Sequence, residues 1–304
     1  MRWVFAAPLI LGLCGCIGFH PLEPDWRRSK NGGDDVDAAM SADAELVARA
    51  RRQASAWRSI GESYKGRPLR ICQIGRGPRR VLWIGGIHGN EQEGVVATDE
   101  LPEAFIQVPG ALNEVTLTIL EDVNPDGRAS NSRHNAQGID LNRNYPATNF
   151  LPGRNYGKRP LDQPEAKALH DLIQAERPHL VIVAHSWGND HFINFDGPAV
   201  ELAELFSRCS GYRVKPSDRI SPTPGSLGSW VGRTLGVPIL TLEYERGRAA
   251  RQCWLETREA ILAVILAREP VGGLPAGDVT SRSPASSRSP VSSRSPASSR
   301  SLAR

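Results

Sequence analysis

This sequence carries little net charge, few cysteines and no long hydrophobic run, and each shortage narrows what the chain can be. The formal net charge is +4 over 304 residues. That excess sits at the end, where Arg282, Arg288, Arg294, Arg300 and Arg304 face one acid, Asp278. The rest is near neutral, so no electrostatic footprint points to nucleic acid and none is expected as a partner. The apolar run from Trp3 to Leu13 is too short to span a bilayer as a stable helix. Five cysteines are present: Cys14, Cys16, Cys72, Cys209 and Cys253. What is ample is ordinary globular material, 40% hydrophobic, enough for one large domain with appendages.

The first residues read as an export signal, with Arg2, the short apolar run and then Leu13-Cys14-Gly15-Cys16. Leu13 at −3 and Gly15 at −1 resemble a bacterial lipobox, which implies cleavage and lipidation of Cys16. The chain is then expected in the bacterial cell envelope, anchored to the membrane through lipid or periplasmic. A plain cleaved signal or an uncleaved anchor is the other reading. Cys72, Cys209 and Cys253 would remain, leaving at least one thiol unpaired. A Cys209–Cys253 bridge is compatible with the sequence, which does not settle it.

Residues 1–16 are therefore read as signal, 17–45 as a Pro-, Gly- and Asp-containing tether, and 46–270 as the folded domain. In 271–304, from Ser281, a Ser-Arg-Ser-Pro-x-Ser repeat cannot bury a core and is expected to be disordered. Within the domain, Ala44–Trp57 has helical spacing, and Arg70–Ile74, Val81–Ile84, Val115–Leu120, Leu180–Ala184 and Val237–Leu242 read as strands. Helices are expected over Glu93–Phe105 (with Pro102 bending or ending the last turn), from Pro164, over Val200–Arg208 and over Trp254–Ala267. Ile60–Leu69 is turn-rich, and Arg133–Pro146 is a long polar loop without period, a length usually functional or disordered. Alternating strands and helices give an α/β fold, a mixed, mostly parallel twisted sheet with helices on both faces.

Three apolar strands run into chemistry: Val81–Ile84 into His88-Gly89-Asn90-Glu91, Leu180–Ala184 into His185, and Val237–Leu242 into Glu243. Ligand sites in open α/β sheets collect at the carboxyl ends of strands. Read singly, His88 is a polar loop residue, Glu91 favours a helix dipole, His185 is a satisfied core histidine and Glu243 a strand-end ion pair. Read together, His88 on the turn, Glu91 in the first helical turn and His185 can hold one Zn²⁺ through two imidazoles and a carboxylate, leaving a position open. Glu243 then suits a general base.

Ile60–Leu69, His88–Glu91, Asn124–Gly127, Gly138–Asn144, His185-Ser186, Thr223–Ser229 and Glu243 resemble, in order, the zinc metallocarboxypeptidase family, and most of all its bacterial murein peptide amidase branch. The resemblance implies a zinc carboxypeptidase-like fold, with His88, Glu91 and His185 as ligands of a single zinc and Glu243 as the catalytic glutamate. It matches Asn142 and Arg143 to the grip on a substrate's terminal carboxylate and Arg133, with Arg128 as rival, to oxyanion support. It places Gly225 and Ser226 in the loop shaping the side-chain pocket, and it leaves Glu165 explained as a helix-capping acid. The expected partner is a peptide with a free carboxylate, murein-derived or another short peptide, taken by a monomer. Two rivals are a deacylase of acylated amino acids, like succinylglutamate desuccinylase or aspartoacylase, and a lipoprotein that binds cell-wall peptides without cutting them.

Overall fold

In a computed structural model, residues 33–217, 220 and 223–267 are described. The signal segment with Cys16, most of the tether and the repeat tail lie outside the described residues. The described residues all belong to the unit Met1–Leu274. No described helix is long and apolar enough to cross a membrane.

The centre is an eight-stranded sheet in the order β1-β2-β4-β3-β5-β8-β6-β7. Its strands are β1 (Arg58–Glu62), β2 (Pro68–Gly75), β3 (Arg79–Ile84), β4 (Val115–Leu120), β5 (Leu180–Trp187), β6 (Phe192–Asp196), β7 (Arg213–Pro216) and β8 (Ile239–Glu245). The four middle strands β4, β3, β5 and β8 run parallel, as do β6 and β7, while β1, β2 and β6 join antiparallel. The mixed, mostly parallel sheet of the sequence reading is therefore the sheet found. Parallel strands buried on both faces explain why β3 and β5 read as unbroken apolar runs.

Side chains alternate between two cores. Trp83 and Val81 of β3 face α1 (Gly33–Ser55), α2 (Val95–Ile106), α6 (Val200–Ser210) and α7 (Ala250–Leu266), together with the short α3 (Ala111–Glu114). Leu82 and Ile84 face α5 (Pro164–Glu176), Tyr145 and Trp230. Burying each such large side chain contributes about 1.5–3 kcal/mol, so the sheet is held from both sides.

Several elements differ from expectation. Helix α1 begins at Gly33, inside the stretch read as tether, because no proline or glycine follows until beyond Ser55 and Ala and Glu favour the helix. Helix α2 begins at Val95 and runs past Pro102 to Ile106, since Leu101, Pro102, Phe105 and Ile106 are all buried against the core. Strands β1, β6 and β7 were not expected; they lie towards the edges of the sheet and carry weaker alternation. Asn124–Gly127 is the start of α4 (Pro125–Ala129), with the Asn124 side chain accepting from the Gly127 N–H. Glu165 does more than cap: fully buried, it accepts from the Tyr64 N–H at 3.0 Å and Asn135 Nδ2 at 3.2 Å, fastening the β1–β2 turn to the long loop. The Cys209–Cys253 bridge is not formed.

Candidate active site

From β3 the chain crosses to β4 on one side and returns to β5 on the other. Such a switch point opens a crevice at the carboxyl ends of the strands. His88 lies on the turn that leaves β3, and His185 lies near the carboxyl end of β5, two residues before Trp187. Glu91 lies in the loop before α2, four residues short of its first residue, Val95, and not in a helical turn. The turn that carries it is tight: a Cβ on Gly89 would come within 2.0 Å of the Gly127 carbonyl carbon, so only glycine lets these two loops touch.

All three side chains are buried. His88 Nδ1 lies 2.9 Å from Glu91 Oε1, His185 Nδ1 lies 2.9 Å from Glu91 Oε2, and the two Nδ1 atoms are 3.1 Å apart. Ligands of a tetrahedral zinc at bond lengths near 2.1 Å sit about 3.4 Å from each other. The donor set therefore fits one such ion: two imidazole nitrogens and a carboxylate, all buried, with no fourth protein ligand among the described residues. His88 Nε2 faces Asp140 Oδ1 at 3.0 Å, so its proton goes to that carboxylate and its Nδ1 lone pair stays inward. Burial raises the Glu91 carboxyl, but His88 and His185 outweigh it and hold it well below the usual range, ionised and ready to ligate.

Glu243 occupies β8 directly opposite His185 in the parallel register. Desolvation, then the negative charge of Glu91, pushes its carboxyl up to about 8, against the pull of His88, Arg133 and Arg246. A carboxylate raised this far beside a cation-ready crevice has the acidity of a proton shuttle.

The long loop brings up the polar residues. Arg133 donates to Glu91 Oε1 at 3.2 Å and pairs with Asp140 at 3.0 Å. Its rival Arg128 is spent on Asp122 and reaches only the Glu91 carbonyl, at 3.5 Å. Asn142 Nδ2 lies 3.5 Å from His185 Nε2, and Asn142 Oδ1 accepts from the Leu227 N–H at 2.9 Å. Arg143 sits beside it with its guanidinium 5.9 Å from the Tyr156 ring centroid. Gly225, at φ +65°, packs against the Arg143 carbonyl so closely that a Cβ would stand 2.4 Å from it. The Ser226 hydroxyl is buried and bonded to Thr223 and Ser229, which fixes the shape of this loop.

Two residues, Asp140 and Glu93, have roles that the sequence reading does not assign, and Arg246, which follows Glu243 where the murein-directed branch often has Leu-Pro, has a contact that it does not foresee. Asp140 lies inside the Gly138–Asn144 stretch, two residues before Asn142, whose backbone N–H its side chain accepts. Glu93, where the sequence pattern predicts a helix start, lies before α2; it is buried and accepts from the Ser186 hydroxyl and from the Gly247 N–H at 2.6 Å. Arg246 donates to Glu91 Oε1 at 3.0 Å, a contact no local pattern announces.

Comparison with known proteins agrees with this geometry. The family model described as zinc carboxypeptidase matches residues 40–247. Murein peptide amidase A of Escherichia coli K12 is 31% identical over 180 residues, covering 54% of this chain and 70% of that protein. The gamma-D-glutamyl-L-diamino acid endopeptidase 1 of Lysinibacillus sphaericus is 28% identical over 208 residues, covering 50% and 52%. The crystal structure of murein-tripeptide amidase from Escherichia coli O157 superposes with a TM-score of 0.58 at 25% identity, covering 73% of this chain and 98% of that one. With the fold, the His-Glu-His cluster and these matches in agreement, the chain belongs to the zinc carboxypeptidase family of metallopeptidases.

Proposed function

We propose that this metallopeptidase hydrolyses an amide bond next to a free carboxylate in short peptides, murein-derived peptides foremost. The observation that carries the proposal is the convergence of His88, Glu91 and His185 on one point, with Glu243 in register beside His185. The similarity to amidases and endopeptidases named for murein and γ-glutamyl peptides supports the substrate class.

In this reading His88, Glu91 and His185 hold one zinc ion. Bound zinc supplies Lewis acidity to a carbonyl oxygen and acidifies water. Glu243 removes a proton from the attacking water and delivers it to the departing nitrogen. Arg133, fixed by Asp140, holds positive charge where the attacked oxygen becomes negative. Asn142 and Arg143 receive the substrate's terminal carboxylate, and the Gly225 loop behind Arg143 bounds the side-chain pocket.

The test is mass spectrometry of a murein tripeptide, a simple dipeptide and an N-acyl amino acid after incubation with zinc-loaded protein. Cleavage of a peptide beside its terminal carboxylate is expected, while cleavage of the acyl amino acid alone would move the chain to the deacylases. Glu243→Gln should retain one zinc per chain and lower kcat by about 10²–10⁴. An unchanged rate would remove Glu243 from its role.

A further inference from the structure

Resting on that function, we propose that Arg246 is a specificity-determining residue that binds a second substrate carboxylate, carried by the residue on the acyl side of the scissile bond. Arg133 and Arg143 already have tasks at this centre. Arg246 is a third guanidinium there, reaching Glu91 Oε1 at 3.0 Å and the Ser186 carbonyl at 3.3 Å through Nη2 alone. Among the described residues its Nε and Nη1 have no acceptor, and its side chain is 38% exposed at the mouth of the crevice. The neighbouring Glu245 does not neutralise it, because that carboxylate faces Arg248 at 3.8 Å, and Arg248 also pairs with Glu256.

Its position is built. The Arg246 N–H donates to the Trp187 carbonyl at 2.9 Å, locking the exit of β8 onto the end of β5. One residue later the Gly247 N–H donates to the buried carboxylate of Glu93, which also accepts from the Ser186 hydroxyl. The backbone on both sides of Arg246 is thus clamped to the segments that carry His185 and Glu91. A guanidinium held this way loses little entropy on meeting a planar anion, which it can bind through two parallel N–H donors.

Asn142, beside Arg143, stands against His185 Nε2, whereas Arg246 stands against Glu91. The terminal carboxylate gripped by Asn142 and Arg143 belongs to the leaving residue. In this assignment the anion at Arg246 is a second group, and the acyl residue supplies it when that residue is an acid joined through its side-chain carbonyl, leaving its α-carboxylate free.

The experiment compares zinc-loaded wild type, Arg246→Gln and Arg246→Lys on two peptides that differ at one group, a γ-D-glutamyl peptide and its counterpart with the α-carboxylate amidated. Wild type should prefer the carboxylate form by about tenfold or more in kcat/KM, largely through KM, as expected for a charge-assisted pair. The preference should collapse towards one in Arg246→Gln and survive in part in Arg246→Lys. A preference unchanged in Arg246→Gln, or absent in wild type, overturns the assignment. Calorimetric binding of both peptides to zinc-loaded Glu243→Gln protein separates the two readings. If Arg246 sets the ratio of dissociation constants while wild type cleaves neither peptide, the hydrolytic function fails and the carboxylate site stands.

Discussion

At the scale of single residues, the acidity of Glu243 decides when the centre works. A general base must be ionised, so activity is lost as pH falls through its pKa. Desolvation and Glu91 raise that pKa to about 8, and a dication in the adjacent crevice draws it down again. The acid limb of kcat/KM for the zinc-loaded enzyme should therefore lie above the ordinary value of 4.5 and below about 8. Zinc content measured at each pH distinguishes protonation of the base from protonation of the ligands. A limb at or under 4.5 with zinc retained would contradict the environment described for this carboxyl. Asp140 acts one step back from the metal. Its carboxylate accepts a hydrogen bond from His88 Nε2–H through Oδ1 and pairs with the Arg133 guanidinium through Oδ2. Asp140→Ala should weaken zinc binding about 10- to 100-fold, the usual cost of losing such a partner, in a competition titration against a chelator. Affinity equal to wild type would show that His88 is oriented by something else.

At the scale of elements, the chemistry depends on loops meeting loops. Gly89, on the turn after β3, lies against the Gly127 backbone at the start of α4. Gly89→Ala forces the two apart, and an overpacked contact of this kind costs about 1–3 kcal/mol. Urea unfolding should show that loss, together with reduced turnover, because the displaced turn carries both His88 and Glu91. Stability equal to wild type would mean the turns can separate freely. The same elements show what a sequence exposes. Val81–Ile84, Leu180–Ala184 and Val237–Leu242 announced themselves because a central parallel strand is apolar on both faces. Strands β6 and β7 hid because they are short and polar in places, as Asn194 and Lys215 show. His88, Glu91, His185 and Glu243 were legible because each sits at or just past such a strand. The roles of Asp140 and Glu93 and the contact of Arg246 with Glu91 were not, because the partners lie 52, 93 and 155 residues away in the chain, and only the strand order brings them together.

At the scale of the whole molecule, the candidate metal centre is also a cross-link. His88 and Glu91 belong to the segment leaving β3, and His185 belongs to β5, the two strands that face each other across the switch point. An ion bound by all three side chains joins segments nearly a hundred residues apart, and it binds the folded chain far better than the unfolded one. Linkage then stabilises the fold by RT ln(1 + [L]/Kd), about 4 kcal/mol when free zinc is a thousand times Kd. For a domain of this size each kcal/mol moves Tm by roughly 2–4 °C, so zinc loading should raise Tm by roughly 8–16 °C over chelated protein. Scanning calorimetry with a chelator and then with restored zinc measures this directly. His185→Ala should show little of the zinc-dependent rise, because a two-ligand site holds the ion weakly and no longer ties β5 to the β3 loop. If wild type and His185→Ala gain equally, the ion binds elsewhere, and the three converging side chains do not form the metal site.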